Sequence, residues 1–289
     1  MKHFLTRLII FIAVAFVSQL ALYIGIKAVL DAKSNFRFSR YFRDKTHNNF
    51  VIGASRAVNS INEKYANENL KLDFINLGFN GQPYANMVDL LDDVNAANKN
   101  AVIYVELSSL YDVEVEFDNQ YAYYISNSEP IKKSFAGTVY DNLALLRLNN
   151  EFFLRSIYYL SKSDNDWLNQ NNISQNIINE ALNMKPYRLA KRRGQFIKNL
   201  AEVQNKCNNA GNQLIYFLAP YLPAYRDKAI DFADILNIME QNKAKYKFVN
   251  LNTINLPNDM FADRVHTNYK GSVILTDSLI TMSQKFKEN

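Results

Sequence analysis

The sequence predicts an α/β fold: a parallel sheet with helices on both faces, preceded by a transmembrane helix. Three observations carry this reading. Short runs rich in β-branched and aromatic residues recur along the chain. They alternate with longer stretches of helical spacing, the pattern of βαβ units that pack as parallel sheets. Near the amino terminus, residues 8–26, "LIIFIAVAFVSQLALYIGI", run for 19 residues without a charge, close to the ~20 that cross a bilayer.

The apolar segment reads as an uncleaved signal anchor behind a short tail, residues 1–7. Lys2 and Arg7 precede it, but it is longer than the roughly 7–15 residues of a cleaved signal's apolar core, and no A-x-A site follows. Residues 27–48 read as a polar stalk. Lys27, Lys33, Arg37, Arg40, Arg43 and Lys45 lie just after the span and outnumber the basic residues before it. The charge rule alone therefore points the following domain inward or leaves its side open.

The α/β domain occupies residues 49–289. "NFVIGAS" reads as its first strand and "DFINLGFN" (73–80) as its second. "YANMVDLLDDVNAANK" (84–99) has Met87, Leu90, Leu91 and Val94 on one helical face. "AVIYVELSS" (101–109) is a third strand, and "NQLIYFLAP" (212–220) and "YKFVNLN" (246–252) are two more. A helix at 195–210 stops at Gly211, and a last helix spans about 268–286. Residues 111–194, rich in Tyr, Phe and Asn, interrupt the rhythm and read as a mostly helical insertion. It is either a cap over the sheet's rim or ordinary surface helices with buried aromatics.

Composition excludes several classes. Hydrophobic residues make up 48% of the chain, which rules out global disorder. The net charge of +5 is concentrated at the start: residues 1–45 carry eight basic and two acidic residues, leaving 25 basic and 26 acidic residues elsewhere. A near-neutral domain with no basic run is not built for nucleic acid. The single cysteine, Cys207, forms no intrachain disulfide and reads as a small helical hydrophobe. No Cys/His cluster has metal-ligand spacing, and no cofactor is expected.

Open parallel sheets bind ligands beyond the carboxyl ends of their strands. Ser55, Asn80, Gly81, Ser108, Ser109 and Pro220 all fall just past such ends and should share one rim. A serine hydroxyl there needs a base to take its proton. Of three histidines, His3 precedes the span and His47 lies at the far end of the first strand, which leaves His266 in "FADRVHTNYKGS". Asp263 is three residues earlier, a spacing at which its carboxylate can hold Nδ1–H and leave Nε2 for the serine.

The blocks "VIGASRAVNSIN", "INLGFNGQ", "VIYVELSS" and "DRVHTNYKG" resemble the SGNH (GDSL-like) hydrolase superfamily, and most closely its membrane-anchored, DltD-like and polysaccharide-acylating branches. They cover residues 49–110 and 212–285. The resemblance implies a three-layer, flavodoxin-like sandwich. It also implies Ser55 as nucleophile, His266 as general base and Asp263 as its partner, with the backbone N–H groups of Ser55 and Gly81 in the oxyanion hole. Two positions depart from the pattern. Leu110 stands where the third-block asparagine belongs, so the oxyanion hole lacks one expected side chain unless Asn80 or Ser109 substitutes, and Ala54 replaces a common aspartate. Arg56 is expected along the rim, either binding a substrate oxygen or in a structural ion pair.

The function so implied is a membrane-tethered serine esterase or O-acyltransferase acting on O-acetyl groups of an extracytoplasmic polysaccharide or envelope glycopolymer. Its partners would be the acylated carbohydrate, the membrane through residues 8–26, and a membrane-bound acyltransferase. The alternative is a non-catalytic module of the same fold that binds polymer or scaffolds an envelope complex.

Overall fold

The computed structural model describes residues 2–111, 157–161, 168–190 and 192–286. These fall into two compact units: the described parts of Met1–Asp44 and Phe117–Asp164 form one, and those of Lys45–Glu116 and Asn165–Asn289 form the other.

In the first unit, α1 (Lys2–Lys33) and α2 (Arg37–Arg43) follow one another. The segment Lys2–Leu30 is a helix long and apolar enough to cross a membrane, and its large side chains from Phe4 to Val17 are exposed. The expected stalk is largely helical, because α1 runs on to Lys33 before the chain turns at Ser34. There Ser34 Oγ donates to the Tyr159 carbonyl at 2.9 Å, and Phe36 stacks on Tyr159 with ring centroids 4.0 Å apart.

The second unit is α/β. Its strands β1 (Asn49–Ile52), β2 (Phe74–Asn76), β3 (Val102–Glu106), β4 (Gln213–Leu218) and β5 (Phe248–Asn250) form one sheet in the order β2-β1-β3-β4-β5, with every pairing parallel. This 2-1-3-4-5 order reverses direction at β1 and β3, which opens a crevice beyond the carboxyl end of β1. The strands read as apolar runs because both faces are covered.

Among the described residues, the α-helices of this unit are α3 (Ser55–Ser60), α4 (Glu63–Glu68), α5 (Tyr84–Ala97), α6 (Gln175–Asn183), α7 (Arg193–Ala210), α8 (Pro223–Arg226), α9 (Phe232–Gln241) and α10 (Tyr269–Ser283). Val51, Phe74, Tyr104, Ile215, Phe217 and Val249 cluster on one sheet face with Leu275, Leu279 and Ile280 of α10, and Tyr104 Oη lies 3.2 Å from Ser283 Oγ. On the other face α5 and α7 pack against each other, and the Tyr216 hydroxyl of β4 donates to the Leu200 carbonyl of α7 at 2.6 Å. Of the insertion expected at 111–194, residues 157–161 and α6 are helical; residues 112–156 and 162–167 lie outside the described part.

Candidate active site

Ser55 is the first residue of α3, three positions beyond the end of β1. The turn between them is tight because Gly53 has no side chain. A Cβ there would stand 2.9 Å from Ala57 Cβ, closer than real contacts allow, and 3.0 Å from both Glu106 Cβ and Ser109 Oγ, at the tight limit. The Ala54 N–H donates to Ser109 Oγ at 2.8 Å. The serine is thereby presented at the rim with its own N–H at a helix start, where no intrahelical acceptor exists.

His266 comes from a short hairpin between β5 and α10. Phe261 and Thr267 form an antiparallel bridge, and Ala262 N–H donates to the His266 carbonyl at 2.9 Å. Asp263 lies inside this hairpin. Its Oδ1 accepts the backbone N–H of Val265 at 2.8 Å and of His266 at 2.9 Å, which orients Oδ2 toward His266 Nδ1 at 2.8 Å. With Nδ1–H donated to the carboxylate, Nε2 is left as an acceptor. It lies 2.7 Å from Ser55 Oγ. Partial burial pushes the Asp263 carboxyl up, but its hydrogen bonds to the His266 ring and to the backbone N–H of Val265 outweigh that and hold it below the usual carboxylate range.

Two contacts lock this hairpin to α3. Thr267 Oγ1 donates to the Asn59 carbonyl at 2.8 Å, and Arg56 Nη1 donates to the Val265 carbonyl at 3.3 Å. Of the two places expected for Arg56, it takes the structural ion pair and not the rim. Its guanidinium turns inward, where Nε donates to Glu106 Oε1 at 3.2 Å and Nη2 to the Ala219 carbonyl. It also stacks on Tyr221 with Cζ 3.4 Å from the ring centroid. The physical reason is Glu106 at the end of β3. A carboxylate with no solvent exposure has to be paired and hydrogen-bonded, and the side chain beside Ser55 is the cation that reaches it.

The cleft over Ser55 measures about 510 Å³ and is lined by Ser55, Asn59, Asn80, Gly81, Leu168, Asn169 and His266. Gly81 has φ +70°, a left-handed conformation that favours glycine. The backbone N–H groups of Ser55 and Gly81 donate to no group among the described residues, so both remain available to a ligand. Asn80 also lines the cleft and is exposed. Leu110 is fully buried, and Ser109 Oγ is occupied by the Ala54 N–H. Neither residue lines the cleft. Among the described residues, no group of His, Cys, Asp or Glu is placed to hold a metal ion.

Sequence reasoning missed three lining residues. Asn59 was within reach of it, because it follows Ser55 by one helical turn and faces the same side; its Nδ2 donates to the Ser55 carbonyl at 2.8 Å. Leu168 and Asn169 carry no local signal, since only tertiary contacts bring their loop to the cleft. The chain matches no protein-family model, and no curated protein matches it either.

Proposed function

We propose that this chain is a membrane-tethered serine acyl-transfer enzyme of the SGNH type. The observation that carries the reading is the unbroken line from Ser55 Oγ through His266 to Asp263, with links of 2.7 and 2.8 Å. Ser55 Oγ attacks an ester carbonyl while His266 Nε2 takes its proton, and Asp263 stabilises the imidazolium that forms. The N–H groups of Ser55 and Gly81 receive the developing oxyanion; such a donor is worth ~3 kcal/mol of barrier. The alcohol then leaves with the proton from His266. Water or a sugar hydroxyl, deprotonated by His266, attacks the acyl-enzyme, and Ser55 departs with that proton.

The substrate class rests on the resemblance of the four blocks to polysaccharide-acylating relatives: O-acetyl groups on an extracytoplasmic polysaccharide or envelope glycopolymer. A helix able to span a membrane at Lys2–Leu30 suits an enzyme tethered outside the membrane beside a membrane-bound acyltransferase. The buried Leu110, where a side-chain donor is expected, favours a second reading, a polymer-binding module without turnover.

One experiment separates the two. The full chain in detergent micelles is treated with a fluorophosphonate probe beside Ser55→Ala and His266→Ala. The enzyme reading expects labelling of the wild type that both variants lose. A folded wild type that stays unlabelled leaves the binding module.

A further inference from the structure

The cleft contains three asparagines, and their hydrogen bonding sets one of them apart. Asn59 has both side-chain atoms engaged: Nδ2 donates to the Ser55 carbonyl, and Oδ1 accepts the Asn169 N–H at 3.3 Å. Asn80 is the opposite case, exposed and making no hydrogen bond among the described residues, so nothing aims its carboxamide. Asn169 is held at three of its four polar groups. Its N–H donates to Asn59, its carbonyl accepts the Tyr269 N–H at 2.8 Å, and its Oδ1 accepts the Asn171 N–H at 3.0 Å. Because an N–H needs an oxygen acceptor, the last contact settles which end of the carboxamide is which. Nδ2 is the one group left without a partner among the described residues.

The loop that carries Asn169 is bolted to the histidine segment. Asn268, two residues after His266 and almost fully buried, donates through Nδ2 to the Asn171 carbonyl at 3.3 Å and to Asn172 Oδ1 at 3.1 Å. Asn169 is thus joined directly to Asn59 on the serine's helix and to Tyr269 on the histidine's side, and its loop is joined to Asn268 through Asn171 and Asn172. A donor held this firmly adds affinity without the entropy of ordering it on binding.

We propose, resting on the acyl-transfer reading above, that Asn169 Nδ2 is a substrate-binding donor for the alcohol portion of the ester: a hydroxyl or ring oxygen of a sugar. Its place follows from the division of labour in the cleft. The free N–H groups of Ser55 and Gly81 serve the acyl oxygen. His266 returns its proton to the departing alcohol, and Asn169 lines the same cleft; with the acyl oxygen already served by two N–H groups, its donor is assigned to the alcohol. Asn169 is therefore a specificity residue for polyhydroxyl esters and is silent toward esters whose alcohol has no oxygen to accept from it.

The test uses Asn169→Asp, which keeps the Oδ1 acceptor for Asn171 N–H and removes the donor, with Asn169→Ala as a second variant. The full chain in micelles is assayed for fluorophosphonate labelling, for turnover of phenyl acetate, and for turnover of a mono-O-acetylated methyl glucoside. Both variants are expected to retain measurable labelling and phenyl acetate turnover, while KM for the sugar ester rises ~10-fold more than KM for phenyl acetate, the worth of one neutral hydrogen bond. A sugar-ester KM unchanged in both variants overturns the role of Asn169 and leaves the serine enzyme standing. Equal losses on both esters assign Asn169 to holding the site together and also overturn the proposal. An unlabelled, folded wild type removes the acyl-transfer reading and this inference with it.

Discussion

Arg56 and Glu106 form a buried ion pair one residue along from Ser55, with Nε 3.2 Å from Oε1 and side-chain exposures of 6% and 0%. The carboxylate is saturated: Oε1 also accepts the Ala219 N–H at 3.3 Å, and Oε2 accepts both the N–H and the hydroxyl of Ser108. The guanidinium in turn joins the ends of β3 and β4 to the carbonyl next to His266. Burial works against its charge, but the facing Tyr221 and Glu106 keep its pKa above the ordinary value.

Breaking that pair leaves one charge buried and uncompensated. Glu106→Gln is expected to destabilise the protein by ~3–5 kcal/mol, read as a lower denaturation midpoint. Arg56→Lys keeps the charge but not the three-way fork, so it should lose fluorophosphonate labelling at temperatures where it is still folded. Midpoints and labelling equal to wild type in both variants would show that the pair is dispensable.

Asp263 sets the tautomer of His266, so Asp263→Asn should keep the fold and lower the labelling rate on the order of 10³–10⁴-fold. The pH dependence of stability follows from the depressed carboxyl pKa. A folded-state pKa below the unfolded value stabilises the protein above about pH 4, and that stability is lost as pH falls through the lower, folded value. In denaturant titrations from pH 7 to 3, the advantage of wild type over Asp263→Asn is therefore expected to shrink toward the acid end. An advantage that stays constant, or grows, contradicts the hydrogen-bonded carboxylate.

Two glycines at the rim should respond differently to alanine. At Gly53 the added Cβ collides with Ala57 and crowds Glu106, and one side of the turn has to move. At Gly81 the Cβ meets nothing within 4 Å, and the cost is the left-handed backbone alone, ~1–2 kcal/mol. Thermal melts should therefore rank Gly53→Ala well below Gly81→Ala. The reverse order would mean the β1–α3 turn is looser than its contacts indicate.

Burial pushes the Cys207 thiol up to about 12, against a smaller opposing effect of the Asn95 side chain. Native protein at pH 8 is expected to be inert to a thiol-disulfide reagent and to react with one equivalent once unfolded. Rapid reaction of the native chain would place Cys207 at an accessible surface.

The elements of the second unit were legible because their signals are local. β1, β3 and β4 read as apolar runs, since strands covered on both faces need no polar residues, and α5 showed its buried stripe at helical spacing. Ser55 and His266 could be paired by elimination in a chain of three histidines. Asp263 came with them through its spacing, although the turn that uses the spacing is a hairpin closed by Phe261 and Thr267. Glu106 was a clue left unread: a carboxylate ending the apolar run "VIYVE" requires a buried cation.

By itself, then, the sequence determined the apolar span near the amino terminus, the alternation that makes a parallel sheet, and the residue types that face one another across the rim. These depend on hydrophobic period, charge and residue chemistry within short windows. Only the tertiary structure decided the strand order, the inward turn of Arg56 and the arrival of Asn169 in the cleft. Each of those results from packing between segments far apart in the chain. The Arg56 side chain goes where the unsolvated Glu106 charge needs it, and Asn169 goes where Asn59, Tyr269 and Asn268 together hold its loop.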